Sequence, residues 1–593
     1  MISFKTILLL ILKFSIVYCN STVSPSVIII AHSLERYENK SGFIRVNSTI
    51  IRGNELKINE TAVDEYLGIG YAKPPVDDKR FGKPEFLEIL SENKTIDATK
   101  PSNSCIQATS NIGFESKYFN DSKMNQSEDC LYLNIWVPNR ETKNKSVLVF
   151  VHGGGLRFGS SNLDLYNGSM LAAKTGLIVV TLNYRLGIFG FAYMCCGNNI
   201  TGNMGLLDQQ VALKWINKYI RAFSGDPQNV TLWGQGAGAK CASAHLFSKE
   251  SENYFQKLIL MSGSINSLLY SMNQGYVDTK TRQTAINLKC YNSIKMYPKP
   301  HKEIFECMLK NETADIVKYS ENVTFQTNMP SALGFNIILN DTVFFNGTLS
   351  NKLKTGDMKY RVDILFGMPN KAGSFFLPIL KDAPKYNCSI TGLFNYSSET
   401  CKMNKTHFET FCKYIKGPLK MDDNTIKIVK DTYLSSNGSR KNKTIAIKVL
   451  TDVSFRCHLI DFMRKVNIKT MGSIYGYYFN VSSAKNKWPR WMVSTHGDEL
   501  DYAFGLPFRY PSDYGDNVTN EQEFSKNVME MIKNFTDSST PSLEWEKFID
   551  TDREGTFIGP DFYNSRKLSL VEDMETNECR TVMPHLPMFL MGG

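Results

Sequence analysis

The sequence predicts an α/β fold, a central sheet covered by helices on both faces, and three observations support it. Four runs rich in β-branched and aromatic residues read as buried strands: C-L-Y-L-N-I-W-V from Cys130, S-V-L-V-F-V-H from Ser146, L-I-V-V-T-L-N-Y from Leu177 and N-V-T-L-W from Asn229. Between the last two lies G-L-L-D-Q-Q-V-A-L-K-W-I-N-K-Y-I from Gly205, in which Leu206, Val211, Leu213, Trp215 and Ile216 supply an apolar helix face. Strand and helix patterns alternate along the chain, the order expected of a sheet with helices on both sides. Of the 593 residues 42% are hydrophobic and 12% aromatic, enough for a substantial core and against disorder. No repeat of fixed period appears. The region from Pro384 to Gly438 is rich in Asn, Ser, Thr, Lys and Cys and reads as surface loops and short helices laid over the core.

The first residues, M-I-S-F-K-T-I-L-L-L-I-L-K-F-S-I-V-Y-C-N, combine an early lysine, an apolar run too short for a bilayer and small residues near Cys19. This is the pattern of a signal peptide over residues 1–19; Lys13 interrupts the run and leaves a non-cleaved leader as the alternative. A single domain is expected from 24 to 590. No later stretch has the roughly 20 apolar residues of a membrane helix, and the tail M-P-H-L-P-M-F-L-M-G-G is too short for a lipid-anchor signal. Secretion without a transmembrane anchor is therefore the expectation. Twenty-three N-x-S/T sequons, from Asn20 to Asn534, suit passage through the secretory pathway. The net charge of +10 comes from scattered lysines with no basic block, which argues for solvated surface and against nucleic-acid binding.

The stretch T-L-W-G-Q-G-A-G-A-K from Thr231 has the outline of G-x-S-x-G, a strand-to-helix turn that presents a nucleophilic serine. Gly234 and Gly238 stand at the flanking positions, but the centre is Gly236. Other motifs accompany it: S-E-D-C-L-Y-L-N-I-W-V-P from Ser127, G-G-G-L-R-F-G-S-S from Gly153, L-N-Y-R-L-G-I-F-G-F from Leu182, G-N-M-G-L-L-D-Q-Q from Gly202, F-S-G-D-P-Q-N-V-T from Phe223, M-S-G-S from Met261 and W-P-R-W-M-V-S-T-H-G-D-E-L-D-Y-A-F-G-L-P from Trp488. Their order and spacing resemble the type-B carboxylesterases, and within them the cholinesterases and their non-enzymatic relatives, the neuroligins. The resemblance runs from about Ser24 to Pro587 and implies an α/β-hydrolase fold with a large, mostly parallel central sheet.

The resemblance also implies three disulfides, Cys105 with Cys130, Cys290 with Cys307 and Cys457 with Cys579, the last closing a loop worth about 4 to 5 kcal/mol on a chain-entropy model. The pairing of Cys195, Cys196, Cys241, Cys388, Cys401 and Cys412 is left open. The family's catalytic serine falls on Gly236, its acid on Ala372 in G-M-P-N-K-A-G, and its histidine on His496. The oxyanion donors are Gly154, Gly155 and the N–H of Ala237. Two of three triad positions thus hold residues with no chemistry in the side chain, and an inactive member of the family is expected. The retained glycines and histidine have a structural reading, a tight loop and a packed ring. Glycine at 236 also relieves a backbone strain of about 1 to 3 kcal/mol. Ser262, Ser264 and Ser494 do not sit on such a turn and read as packing residues.

Around the expected pocket, the choline-binding indole position of the cholinesterases falls on Asn120, with Tyr118 or Phe119 as substitutes. Arg157 replaces an aromatic residue and would repel a cation and favour an anion. Gln235 replaces a glutamate, Phe375 and Phe376 match an acyl-pocket position, and Trp233 is expected as a further pocket residue. No metal or cofactor is implied. The expected role is extracellular binding of a protein or of a small hydrophobic ligand, with unconventional esterase activity as the alternative, and a homodimer is implied by resemblance alone.

Overall fold

The computed structural model describes residues 42–587 apart from short internal stretches, the longest being 109–124, 292–300, 327–333, 389–400 and 563–568. The leader segment, Tyr118, Phe119, Asn120 and Cys196 lie outside the described residues. An 11-stranded sheet organises the chain. Its strands are β1 (Asn54–Ile58), β2 (Thr61–Gly70), β3 (Tyr132–Pro138), β4 (Lys145–Val151), β5 (Ile178–Leu182), β6 (Gly225–Gln235), β7 (Lys257–Met261), β8 (Asp363–Pro369), β9 (Ile474–Phe479), β10 (Gly555–Ile558) and β11 (Ser569–Val571). They lie in the spatial order β1-β2-β3-β5-β4-β6-β7-β8-β9-β10-β11. From β5 to β10 every neighbouring pair is parallel, while β1, β2, β3 and β11 join antiparallel at the two edges. The expected mostly parallel sheet is therefore present, and the four strands read from sequence are β3 to β6.

Alternation along these strands explains why they are apolar throughout. Val147, Val149 and Val151 of β4 enter one core, whereas Leu148 and Phe150 enter the other, so a side chain of either parity is buried. Helix α1 (Met204–Tyr219) covers the first core with Leu206, Leu213, Trp215 and Ile216 fully buried; Val211 is only half-buried. The further helices used below are α2 (Ala237–Ala244), α3 (Thr313–Gln326), α4 (Lys405–Lys416), α5 (Asp423–Asn437), α6 (Cys457–Asn467), α7 (Glu499–Ala503), α8 (Val518–Ser538) and α9 (Asn577–Val582). Helix α8 covers the second core through Phe524, Val528, Ile532 and Phe535.

Between Pro384 and Gly438 the structure is more regular than expected. Helices α4 and α5 bury Phe408, Phe411 and Tyr433 in the first core, and α5 packs on α9. The polar composition hid them because their apolar residues are few and lie on one face, with Asn404 capping α4 through the N–H of His407 (2.8 Å). Disulfides join Cys105 to Cys130, Cys290 to Cys307 and Cys457 to Cys579, and a fourth joins Cys388 to Cys401. Cys241 and Cys412 are buried thiols whose pKa burial pushes up to about 12.

Candidate functional site

Strand β6 ends at Gln235, α2 begins at Ala237, and Gly236 makes the turn between them at φ 57° and ψ −120°. Its N–H donates to the carbonyl of Met261 (2.8 Å) and its carbonyl accepts from Lys240 (3.1 Å), which fixes the turn to β7 and to the first turn of α2. The flanking glycines are demanded by space. A Cβ on Gly234 would stand 2.2 Å from the carbonyl oxygen of Gly238, and one on Gly238 would stand 2.0 Å from that of Val151. Position 236 differs from both. A Cβ there would meet no backbone, only the tip of the His496 ring, with Nε2 at 2.9 Å and Cε1 at 3.5 Å. The backbone thus has the shape that displays a side chain, and the residue displays none.

His496 reaches this point from the segment after β9. Ser494 Oγ donates to the carbonyl of Phe479 (2.7 Å), the N–H of Lys371 donates to that of Ser494 (3.2 Å), and Ser374 Oγ donates to Thr495 Oγ1 (2.8 Å). These bonds lay the segment containing Ala372 against the one containing His496. The imidazole sits among Phe455, Phe376 and Phe375, with ring centroids 5.0, 5.4 and 6.0 Å away, and Trp488 packs edge-on against Phe375 at 6.1 Å. Burial pushes its pKa down to about 3, so the ring is neutral at physiological pH. Gln235 Nε2 lies 3.1 Å from His496 Nε2. With that amide donating, the ring proton resides on Nδ1, a buried atom with no partner among the described residues. Nδ1 is the nitrogen that a triad acid addresses, and Ala372, where the resemblance puts that acid, carries only a methyl group.

The glycine-rich loop is intact and braced. Gly154 and Gly155 adopt φ 101° and 66°, and the carbonyl of Gly154 accepts from the N–H groups of Arg157 and Phe158, both at 3.1 Å. Gln107 clamps the loop's far end by accepting from the N–H of Gly159 (2.9 Å) and donating to its carbonyl (3.0 Å). The N–H groups of Gly154, Gly155 and Ala237 donate to no acceptor among the described residues. His152, next to the loop, stacks on Tyr184 at 4.6 Å, and burial lowers its pKa to about 4.

Two pocket expectations need correction. Arg157 does not offer its charge to a ligand, because its Nε donates to Glu321 of α3 (3.1 Å) and its Nη2 bonds the same carboxylate, with the arginine side chain buried. Trp233 belongs to the opposite core, packed between Phe150 (4.5 Å) and Phe504 (4.8 Å), because odd and even positions of β6 face opposite sides of the sheet. Sequence reasoning missed Phe455, Trp488 and the buried pair in which Ser262 Oγ donates to Glu499 Oε1 (3.1 Å). Ser262 adopts φ 56°, and burial raises Glu499 to about 7, Asp501 to about 6 and Asp498 well above the usual carboxylate range. The signal was legible in H-G-D-E-L-D, where three acids follow His496 within a stretch that folds into the interior. Among the described residues no group of three His, Cys, Asp or Glu could hold a metal, and no helix is long and apolar enough to cross a membrane.

A family model described as "Carboxylesterase family" matches residues 40–580. The chain belongs to the carboxylesterase family. Among curated relatives it is 29% identical over 544 residues to "Cholinesterase" of Mus musculus, covering 89% of this chain and 84% of that protein. It is 32% identical over 516 residues to "Acetylcholinesterase 4" of Caenorhabditis briggsae, covering 83% and 80%. A third relative, "Acetylcholinesterase" of Bungarus fasciatus, is 29% identical over 510 residues. In this member of the carboxylesterase family neither Gly236 nor Ala372 carries a side chain that attacks, donates or accepts.

Proposed function

We propose that this cholinesterase-like chain does not hydrolyse esters and acts outside the cell by binding another protein. The observation behind the reading is the bare turn: Gly236 occupies the displayed position, and His496 Nε2 sits 2.9 Å from where its Cβ would be, in space that a nucleophile's side chain would need. A backbone donor set without a nucleophile leaves about 10³ to 10⁴ over water, against roughly 10⁶ or more for working enzymes. Four disulfides and the density of sequons favour an oxidising, extracellular setting. The names of the relatives favour the opposite reading, an active esterase, and the test must decide between them.

A fluorophosphonate probe on the purified secreted protein decides it: no serine is labelled on this reading, and specific labelling at any serine overturns it. The double variant Gly236→Ser with Ala372→Glu should gain measurable hydrolysis of aryl esters, because the restored glutamate can accept from His496 Nδ1 and the backbone donors are in place. The His496 ring must recede by several tenths of an ångström to admit the serine, so the gain is expected to be partial. The cluster of Phe375, Phe376, Phe455 and Trp488 supports a second reading, sequestration of a small hydrophobic ligand. A thermal-shift screen of hydrophobic esters tests it.

A further inference from the structure

The fold sorts the 23 sequons by what their asparagine amides already do. In four of them the amide is free. Asn59 and Glu60 make the turn between β1 and β2, Asn346 precedes Gly347, Asn404 caps α4 and Asn517 precedes α8, and all four asparagines are exposed. Asn59 and Asn346 adopt φ 52° and 50°, the left-handed conformation that asparagine tolerates in tight turns. The Nδ2 of none of the four donates to an acceptor among the described residues. Asn404 uses only its oxygen, which accepts from the N–H of His407 (2.8 Å), so a substituent on Nδ2 would leave the helix cap in place.

Two other sequons, N-V-T at Asn229 of β6 and N-F-T at Asn534 of α8, are already engaged, and they meet at Lys257 of β7. Lys257 Nζ donates to Asn229 Oδ1 and to the carbonyl of Thr536 (2.8 Å). Asn229 Nδ2 donates to Ser146 Oγ of β4 (2.8 Å), and Ser146 Oγ donates in turn to Asp537 Oδ1 (2.5 Å). Asn534 Nδ2 donates to the carbonyl of Pro541 (3.3 Å). This polar seam ties β4, β6 and β7 to the last turn of α8, and both asparagines in it are half-buried. Thr231 and Thr536, the hydroxyl residues of the two sequons, are wholly buried, and their Oγ1 atoms have no partner among the described residues. The seam thus needs the asparagines, while no hydrogen bond of the fold uses the two threonine hydroxyls.

We infer that N-linked glycans occupy Asn59, Asn346, Asn404 and Asn517 and that Asn229 and Asn534 stay bare in the folded protein. The inference rests on the extracellular reading, which takes the chain through the compartment where the sugar is transferred. In that step the asparagine Nδ2 bonds to the anomeric carbon of an oligosaccharide carried on a lipid diphosphate; the sugar–phosphate C–O bond breaks, the lipid diphosphate leaves and the amide gives up one proton. Transfer takes place on the unfolded chain, so folding acts afterwards as a selection. A sugar on Asn229 Nδ2 would lie against Ser146 and part the strands from α8, leaving the buried donors of the seam unpaired.

The test is peptide mapping of the full-length protein purified from insect cells, with peptide N-glycosidase in heavy-oxygen water marking each formerly glycosylated asparagine as aspartate. Marks are expected at the four exposed asparagines and at neither Asn229 nor Asn534. Thr231→Val removes the sequon of Asn229 and no hydrogen bond of the fold, so unchanged gel mobility and yield are expected. Thr406→Val leaves the Asn404 cap in place and should remove one glycan. A mark at Asn229 or Asn534, a mobility shift in Thr231→Val, or an unmarked asparagine among the exposed four would overturn the inference and leave the extracellular reading standing. A protein with no mark at any sequon would overturn both.

Discussion

The turn at Gly236 and the strip of exposed side chains formed by Tyr360, Ile468, Met471 and Ile549 are built from opposite materials. At the turn the backbone is specified to within a methyl group, by Gly234, Gly238 and the bonds to Met261 and Lys240, while the displayed residue has no side chain. On the strip the backbone is ordinary helix and loop, and what distinguishes it resides in protruding aromatic and aliphatic side chains. The difference teaches that a site's architecture and its chemistry are separable. Steric need fixes the first independently of the second, because a glycine wedged against a carbonyl cannot be exchanged without moving strands.

That contrast can be broken or sharpened by substitution. The largest effect is expected from Gly238→Ala, whose Cβ would lie 2.0 Å from the carbonyl of Val151; a loss above about 4 kcal/mol, seen as failed expression or a collapsed melting transition, is expected. Tolerance of that change would mean that the turn is softer than its contacts. Glu499→Gln comes next and acts through pH. The folded carboxyl titrates at about 7 against an ordinary value of 4.5, so the folded state holds its proton more tightly; the stabilisation is full below 4.5 and is lost as pH rises toward 7. The glutamine variant keeps an acceptor for Ser262 and does not titrate. Melting curves from pH 5 to pH 8 should therefore show the variant gaining on the parent by roughly 3 kcal/mol at most. A difference that stays constant across that range would rule out a buried, protonated Glu499.

Gly236→Ala should cost less, about 1 to 3 kcal/mol for a side chain at positive φ, with the His496 ring yielding to its methyl group. The smallest effect belongs to the strip. Met471→Ser, on an exposed side chain, should leave the melting temperature nearly unchanged, within about 0.5 kcal/mol, as surface substitutions generally do. Should Met471→Ser unfold the protein, the strip would carry structure and the contrast with the turn would disappear.

Much of the sheet was legible because buried parallel strands are apolar on both faces and stand out as continuous runs, as β3 to β6 do. The turn was legible for a different reason, since its glycines are steric requirements recorded directly in sequence. Trp233 was misplaced because a run of apolar residues does not say which parity faces which core; only the pairing of Trp233 with Phe150 across β6 and β4 settles it. Arg157 was misread because its counter-charge, Glu321, lies 164 residues away and no local pattern announces the ion pair. The pairing of Cys388 with Cys401 and the extent of helices α4 and α5 were not readable either, the first because spacing does not determine connectivity and the second because a thin apolar stripe is lost in polar composition. Phe455 joined the histidine's surroundings by tertiary packing alone, and nothing in its flanking residues set it apart.

The bond between Cys457 and Cys579 has a consequence for how the molecule meets a protease. It spans 122 residues and anchors the start of α6 to α9, the two helices that hold Arg464 and Arg580. A protease cutting once anywhere inside that span would produce two polypeptides that still travel together, separating on a gel only after reduction. Limited nicking would then trim the chain without releasing its arginine-bearing ends from one another.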